Sequence, residues 1–272
     1  MPRLAALVIV VLAALLPRAA AADAGRVAAA LDMPRVLAVM RSEGLAYGES
    51  LGRDMLQGRG GAGWQAEVSR IYDTGRLADI VLPRFAAALD GADTAAMAGF
   101  FEGALGRRIV ELEITAREAF LDEAIEEAAM LRLQEMAEDK DPRLDRIEAF
   151  IEAGDLIEAN VAGGLNSSLA FWRGLGEGGF LAREMTQEDI LAEVWGQEPQ
   201  IRADTEDWVW SYLALAYEPL TDADMEAYVA FAESPAGKAM NRALFAAFDA
   251  MFADVSYRLG LAAARELAGE EL

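Results

Sequence analysis

Apolar residues recur at a spacing of three or four positions along almost the whole chain, and no long run alternates between apolar and polar residues. One such stripe contains Leu244, Phe245, Phe248, Met251, Phe252, Val255 and Leu259. Residues at this spacing lie on one face of a helix, where they form core. Ala, Leu, Glu, Arg and Met, which favour helix, are abundant. The pattern therefore predicts an all-α protein.

Polar residues at regular places predict where the helices begin. Thr186 and Thr221 are each followed three residues later by an Asp, which is the spacing of a capping box. The predicted helical segments cover residues 33–57, 64–89, 92–104 and 106–138, and then 143–162, 186–196 running on through 199–218, 222–233 and 235–269. Pro83 should kink or break the second of these, because proline lacks the amide hydrogen of a helix interior.

The chain matches itself when it is shifted by 131 residues. Trp64 then falls on Trp195, and Phe100 falls on Phe231, without a gap over about 45 positions. Upstream of this stretch the best shift is 111 residues, so the second copy carries about 20 additional residues near 163–183. Self-similarity of this kind indicates a duplicated structural unit.

The repeat divides the chain into two helical units of about four helices each. The first covers residues 23–140, and the second covers 141–272 with the insertion near 163–183. The polar seam at 138–142 is short. We therefore expect two units that are packed together, rather than two domains on a flexible linker.

The first 22 residues have the pattern of a signal peptide. Arg3 precedes an apolar run from Leu4 to Leu16, and small residues up to Ala22 offer a cleavage site after Ala22. A retained anchor is the alternative, although the run is shorter than the roughly 20 residues that a membrane-spanning helix needs. Later segments do not reach that length, so no integral membrane span is expected after signal removal. We expect a periplasmic or secreted protein.

Composition narrows the function classes. The chain has no Cys and no His, and its formal net charge is −22. The missing residue types exclude disulfides, zinc fingers, haem ligation by His and catalytic triads built on His or Cys. Such a negative charge argues against nucleic-acid binding, which requires basic surfaces. Core burial alone must then stabilise the fold.

Motifs for cofactors are weak, and we expect no cofactor and no metal. Residues 174–179 satisfy the glycine spacing of a dinucleotide-binding loop, but no strand is predicted before them. A flexible loop is the favoured interpretation of this segment. Acidic residues are plentiful between Glu111 and Glu127, where a solvated helix face explains them better than a cation site.

A short motif in the second unit provides a family resemblance. It contains Phe231, Ser234, Pro235, Gly237 and Lys238. This stretch resembles the bacterial domain-of-unknown-function family numbered 2059, although Ala232 replaces an aromatic residue of the family motif. The resemblance implies an exported helical protein, and the family has no established activity. In physical terms, Ser234 would cap the helix that Pro235 starts, Gly237 would permit close helix packing, and Lys238 would reach back towards Glu233.

Aromatic residues suggest a candidate binding patch. Trp210 aligns with Asp79 of the first unit, so its position is expected at the surface. The additional segment contributes Phe171, Trp172 and Phe180, which lie among glycines. We hypothesise that these four aromatic residues form one apolar patch or groove for a partner or a small ligand.

The sequence favours a binding protein over an enzyme. The leading interpretation is an exported interaction protein of the bacterial envelope, whose partner is an envelope protein. The alternative is a protein that binds a small apolar ligand in a helical cavity near the junction of the two units. A hydrolase that uses only carboxylates is the third interpretation.

Overall fold

The computed structural model describes residues 16–56, 61–180 and 185–269, and in these ranges it contains thirteen α-helices and no β-strand. The prediction of an all-α protein is confirmed. The helices are α1 Leu16–Ala30, α2 Met33–Leu56, α3 Gly61–Ile71, α4 Thr74–Ala88, α5 Thr94–Phe101, α6 Ala104–Ala119, α7 Glu123–Asp139, α8 Arg143–Gly154, α9 Leu156–Glu177, α10 Gln187–Gly196, α11 Glu198–Tyr217, α12 Asp222–Glu233 and α13 Pro235–Ala268.

The predicted signal peptide lies mostly outside the described residues, because residues 1–15 are not among them. Helix α1 begins at Leu16 and runs through the expected cleavage point after Ala22. The signal peptide and its cleavage therefore stay predictions. Within the described ranges, no helix is both long enough and apolar enough to cross a membrane.

Helix boundaries in the second half follow the capping signals closely. The side chains of Thr186 and Thr221 each accept a hydrogen bond from the backbone amide of the Asp three residues later. The carboxylate of that Asp accepts a hydrogen bond from the backbone amide of the Thr in turn. Both capping boxes are therefore confirmed. Ser234 caps α13 in the same way, because its hydroxyl oxygen accepts a bond of 3.0 Å from the Gly237 amide.

Two long helices predicted in the first half are each divided. Of the predicted kink or break at Pro83, the break is wrong, because α4 continues through this residue and the division falls at Tyr72 and Asp73, while the kink stays a prediction. Asp73 caps α4 by accepting the Arg76 amide at 3.0 Å. Asp122 likewise caps α7 and separates it from α6. An Asp cap starts a new helix in each case, and it leaves the hydrophobic period almost undisturbed.

The described part of the expected glycine-rich insertion, residues 163–180, is mostly helical, and residues 181–183 lie outside the described residues. Helix α9 extends to Glu177, so the prediction of a flexible loop over 174–179 is wrong for its first four residues. Gly174 faces the backbone of α13 so closely that a Cβ atom there would collide with the Tyr257 carbonyl oxygen. Gly260 has the same relation to the Phe171 carbonyl oxygen. These glycines allow α9 and α13 to run side by side, in parallel.

The two predicted units share one hydrophobic core. Nearly all buried apolar side chains form a single cluster with members from both units. Helix α4 of the first unit packs against α13 of the second, and α6 of the first packs against α11 of the second. The two halves therefore stabilise each other directly.

The order of the helices is compatible with a repeat in which α1–α6 correspond to α8–α13. Helix α5 packs against α1 and α6, as α12 packs against α8 and α13. Asp32 and Asp155 both have positive φ, and they stand at the equivalent junctions α1–α2 and α8–α9. This correspondence places six helices in each half, whereas the sequence predicts about four. The duplication itself stays a prediction.

Candidate binding cleft

A cleft of about 990 Å³ lies between helices of the two units. Helices α2 and α6 of the first unit line one part of it, and helices α9, α11 and α13 of the second unit line the rest. A second, smaller cavity of about 450 Å³ lies between α7 and α11. The larger cleft has the volume of a small-molecule site.

Most of the cleft surface is apolar. Its apolar lining includes Val36, Met40, Ile201, Trp208, Val209, Leu244, Phe245, Phe248 and Phe252. The α9 wall consists of small residues, among them Ala159, Ala162, Gly163 and Gly164. Gly164 faces Ile201 of α11, where a Cβ atom would lie 2.9 Å from Cγ2. The small side chains of α9 keep open the space that larger ones would fill.

Trp208 lines the cleft, and three neighbouring side chains contact its ring. Its ring stacks on Tyr212 with centroids 4.8 Å apart, and Phe120 packs edge-on against it at 6.1 Å. The guanidinium of Arg117 lies 5.8 Å from the centre of the Trp208 ring, within the range of a cation–π contact. Glu43 fixes Arg117 through two hydrogen bonds of 2.6 and 2.9 Å. This wall is therefore preorganised.

Three asparagine side chains at the cleft have hydrogen-bond partners within the protein. The Asn160 amide donates to the Leu156 carbonyl oxygen at 2.7 Å, and the Asn241 amide donates to the Gly154 carbonyl oxygen. The Asn166 amide donates to the carboxylate of Asp249 at 3.0 Å. Each of these three amide groups therefore already has a partner within the protein.

A half-buried glutamate, Glu113, lies near the cleft without lining it. Oε1 of Glu113 accepts hydrogen bonds from the hydroxyls of Tyr217 and Tyr228, at 2.7 and 2.9 Å. Tyr212, which does line the cleft, donates its hydroxyl to the Glu113 backbone carbonyl at 2.8 Å. Burial raises the pKa of Glu113, and the two tyrosine hydrogen bonds oppose that rise only in part. The same burial raises the pKa of both tyrosines well above their ordinary value.

This cluster joins α6 to α11 and α12, and its contacts are those of a structural network. Both tyrosine hydroxyls point to the one carboxylate oxygen, so they stabilise it as a pair of donors. Among the described residues, no group of three or more acidic side chains is arranged to hold a metal ion.

The structure does not bring the four predicted patch residues to the cleft. Phe171 and Trp172 are half-buried in α9 against the core, and Trp210 is half-buried in α11 instead of standing at the surface. Phe180, which follows α9, is 48% exposed. None of the four is among the lining residues of either cavity.

The family-motif residues have the structural roles expected of most of them. Phe231 stacks on Phe100, its partner in the repeat alignment, with ring centroids 4.1 Å apart. Pro235 is the first residue of α13, and a Cβ atom on Gly237 would collide with the Phe231 carbonyl oxygen. Lys238 is exposed, and the ion pairs of the described residues do not include the expected contact with Glu233.

Trp208 is the functional candidate that the sequence reasoning missed. Ile201, Thr205, Trp208 and Tyr212 recur every three or four positions on α11 and all line the cleft. The sequence does contain a signal for the cleft, because this apolar face of α11 lies across the cleft from the small residues of α9 between 159 and 164. The same pattern is also that of ordinary core, so spacing alone does not distinguish a cleft wall from a filled interior.

Comparisons with protein families, with curated proteins and with solved structures find no match to this chain. The resemblance to family 2059 therefore stays a prediction that rests on the motif residues alone. The candidate site rests on its own geometry.

Proposed function

We propose that this chain is a non-enzymatic binding protein of the bacterial envelope that holds a small apolar ligand between its two helical units. The observation that carries the proposal is the apolar cleft of about 990 Å³ with its preorganised Trp208 wall. Export is supported by the signal-like N-terminal segment and by the family resemblance. The cleft near the junction of the units is the kind of site that the ligand-binding interpretation requires.

The surroundings of the cleft favour binding over catalysis. Arg117, its one cationic lining residue within the described ranges, is occupied by Glu43. The amides that line it donate to neighbouring groups, and Glu113, the carboxylate whose pKa burial raises, faces two tyrosines instead of the cleft. A carboxylate-dependent hydrolase would need two carboxylates placed about one common reacting atom, whereas the two that line this cleft, Asp204 on α11 and Asp249 on α13, are each oriented by a neighbouring amide.

A protein partner in the envelope is the second candidate, and one exposed helix face favours it. Leu191 and Trp195, which are four residues apart on α10, are 40% and 65% exposed. Trp195 aligns with Trp64, which is buried, so the second copy exposes an aromatic residue where the first copy covers one. Replacing both with Ser should abolish capture of an envelope protein, if this face binds one, and leave the cleft unaffected.

Binding of a fluorescent apolar probe tests the leading proposal. We expect N-phenyl-1-naphthylamine to bind saturably to the wild-type protein, at about one molecule per chain. Ala246 lines the cleft and is exposed, so Ala246→Trp should fill the cleft without disturbing the core. Ala95→Trp on α5, also exposed and outside the cleft, is the matched control.

The proposal predicts that Ala246→Trp weakens probe binding at least tenfold and that Ala95→Trp leaves it unchanged. Native mass spectrometry of protein from the periplasm should also detect a small bound molecule that is displaced by the probe. Equal binding by the two variants, or no saturable binding by the wild type, would contradict the cleft as the ligand site.

A further inference from the structure

Three charged residues line the cleft, and they differ in whether their charge is balanced. Arg117 is the cation, and Asp204 and Asp249 are the anions. Arg117 lies on α6 of the first unit, whereas Asp204 on α11 and Asp249 on α13 belong to the second. The balance among these three decides which charge on a ligand the cleft favours.

The positive charge of Arg117 is already neutralised. Its Nε and one terminal nitrogen donate to the two oxygens of Glu43, in the two-bond geometry that is strong for arginine and carboxylate. Burial lowers the pKa of Arg117, but the bonds to Glu43 more than offset that effect, and the net direction is upward. Arg117 therefore stays protonated, and an anionic ligand would have to compete with Glu43 for the guanidinium.

The two aspartates have amide partners instead of cationic ones. Asp204 accepts a hydrogen bond of 2.7 Å from the Gln200 amide, and Asp249 accepts one of 3.0 Å from Asn166. Neither takes part in an ion pair among the described residues, although fifteen such ion pairs occur there. An amide partner orients a carboxylate and leaves its negative charge in place.

The predicted repeat shows how Asp204 differs from its counterpart. Asp204 aligns with Asp73, which caps α4 by accepting the Arg76 amide. Asp204 instead lies within α11, where no free backbone amide of a helix start requires it. Its carboxylate at the cleft is therefore not explained by helix capping.

We propose that the ligand of the cleft is a cationic amphiphile, in which a protonated amine or a quaternary ammonium is attached to an apolar chain or ring. The inference rests on the proposed function of the cleft and specifies its ligand class. The apolar body contacts residues such as Phe245 and Phe248, and the cationic group faces Asp204 and Asp249. The formal net charge of −22 further disfavours anionic ligands.

Three ligands with the same twelve-carbon chain test the charge preference: dodecylamine, dodecanol and laurate. Each competes with N-phenyl-1-naphthylamine at pH 7, at ligand concentrations below micelle formation. We expect dodecylamine to displace the probe at a concentration at least tenfold lower than either of the others. The variant Asp204→Asn/Asp249→Asn should remove most of that preference while keeping the probe bound.

A matched control separates a local effect from the general charge of the protein. Asp79→Asn/Asp90→Asn removes the same two charges from exposed positions outside the cleft. The preference for dodecylamine should survive in this variant and be lost in the cleft variant, with melting temperatures measured for both.

The outcomes distinguish this inference from the function on which it depends. Equal or tighter binding of laurate or dodecanol overturns the charge preference and leaves the apolar cleft as a ligand site. An equal loss of preference in both double variants also overturns it, because the charge effect would then not belong to the cleft. If neither the probe nor any of the three ligands binds, the proposed function fails and this inference fails with it.

Discussion

Single residues join the two units in this fold, and Glu113 is the clearest case. Its carboxylate lies in the interior on α6 and accepts the hydroxyls of Tyr217 from α11 and Tyr228 from α12. The arrangement satisfies three polar groups at once, but it holds a charge away from water. Stability should therefore depend on the protonation state of this one residue.

The pKa of Glu113 is raised by burial, so the folded protein binds this proton more tightly than the unfolded chain does. Glu113 consequently favours folding below its unfolded pKa, and that contribution falls as the pH rises towards the folded pKa. We expect Glu113→Gln, which keeps an acceptor for both tyrosines, to unfold with equal or higher free energy than the wild type at pH 7. The difference should shrink as the pH is lowered towards 4.

Glu113→Ala is the comparison for this prediction, because it leaves the two tyrosine hydroxyls without a partner. It should lose about 1–3 kcal/mol of unfolding free energy. Urea denaturation at several pH values measures both variants. A Glu113→Gln protein that is less stable than the wild type at pH 7, with a gap that closes at acidic pH, would contradict the account.

Trp210 and Trp208 show how far the sequence predicts the site. Trp210 was expected at the surface, because it aligns with Asp79. The structure half-buries Trp210 and places Trp208 at the cleft instead. A self-alignment compares residue types, but exposure depends on which helix packs above each position. Here α6 lies against α11, and its Arg117 covers Trp208.

At the scale of elements, helix starts with strong local signals were predictable. The capping boxes at Thr186 and Thr221, and the Ser-Pro pair at 234–235, fix three helix starts through bonds within a few residues. The divisions at Asp73 and Asp122 were missed, because each depends on one cap within a continuing apolar pattern. Prediction succeeded where local chemistry decides the structure.

Close helix packing depends on several glycines, and the sequence predicts this role for only some of them. Gly237 was expected to permit close packing, and it does lie against the backbone of α12. Gly106, its partner in the repeat alignment, has the same relation to the Phe100 carbonyl oxygen. The glycines of α9 were interpreted as a loop, because nothing local reveals that α13 passes beside them. That assignment required the tertiary structure.

Substitution of these glycines should destabilise the fold strongly. A Cβ atom on Gly237 would collide with the Phe231 carbonyl oxygen and press on the Cα of Ala232, so the α12–α13 turn would have to shift. We expect Gly237→Ala to cost about 1–3 kcal/mol of unfolding free energy, as overpacking of an interior does. Thermal unfolding followed by circular dichroism measures the loss.

Gly99 supplies the control, because it lies within α5 and a Cβ atom there would meet no atom within 4 Å. Gly99→Ala should leave stability unchanged or raise it by up to about 1 kcal/mol, since alanine favours helix over glycine. Similar losses in both variants, or no loss in Gly237→Ala, would contradict close packing as the reason for glycine at position 237.

In the whole molecule, the way the two halves pack on each other is what the predicted duplication would produce. If α1–α6 and α8–α13 are two copies, each copy contributes a helix that packs on the other, α6 on α11 and α13 on α4. Phe100 and Phe231 meet face to face at their contact, as equivalent residues near a pseudo-two-fold axis would. The same correspondence makes Asp32 equivalent to Asp155, which lies 123 residues later. Because the shift is 131 residues from Trp64 onwards, about eight additional residues would precede α10, instead of the 20 that the sequence predicts.

Small and larger residues are distributed unequally between the two halves of the chain, and this inequality shapes the cleft. Helix α9 has Gly163 and Gly164 at the cleft, where α2 contributes the larger Val36 and Met40. The absence of Cys and His leaves core burial as the source of stability. The shared core satisfies that need while a large apolar surface remains open beside it.

The most direct test of the account asks whether an apolar ligand lies against Trp208. Bromine quenches tryptophan fluorescence only at short range, so 11-bromoundecanol, which is uncharged, reports contact independently of the charge preference. We compare Trp208→Phe with Trp210→Phe, whose side chain lies two residues away and outside the lining of the cleft. We expect saturable quenching in the wild type and in Trp210→Phe, and no saturable quenching in Trp208→Phe. Quenching that persists in Trp208→Phe, or that never saturates in the wild type, would contradict it.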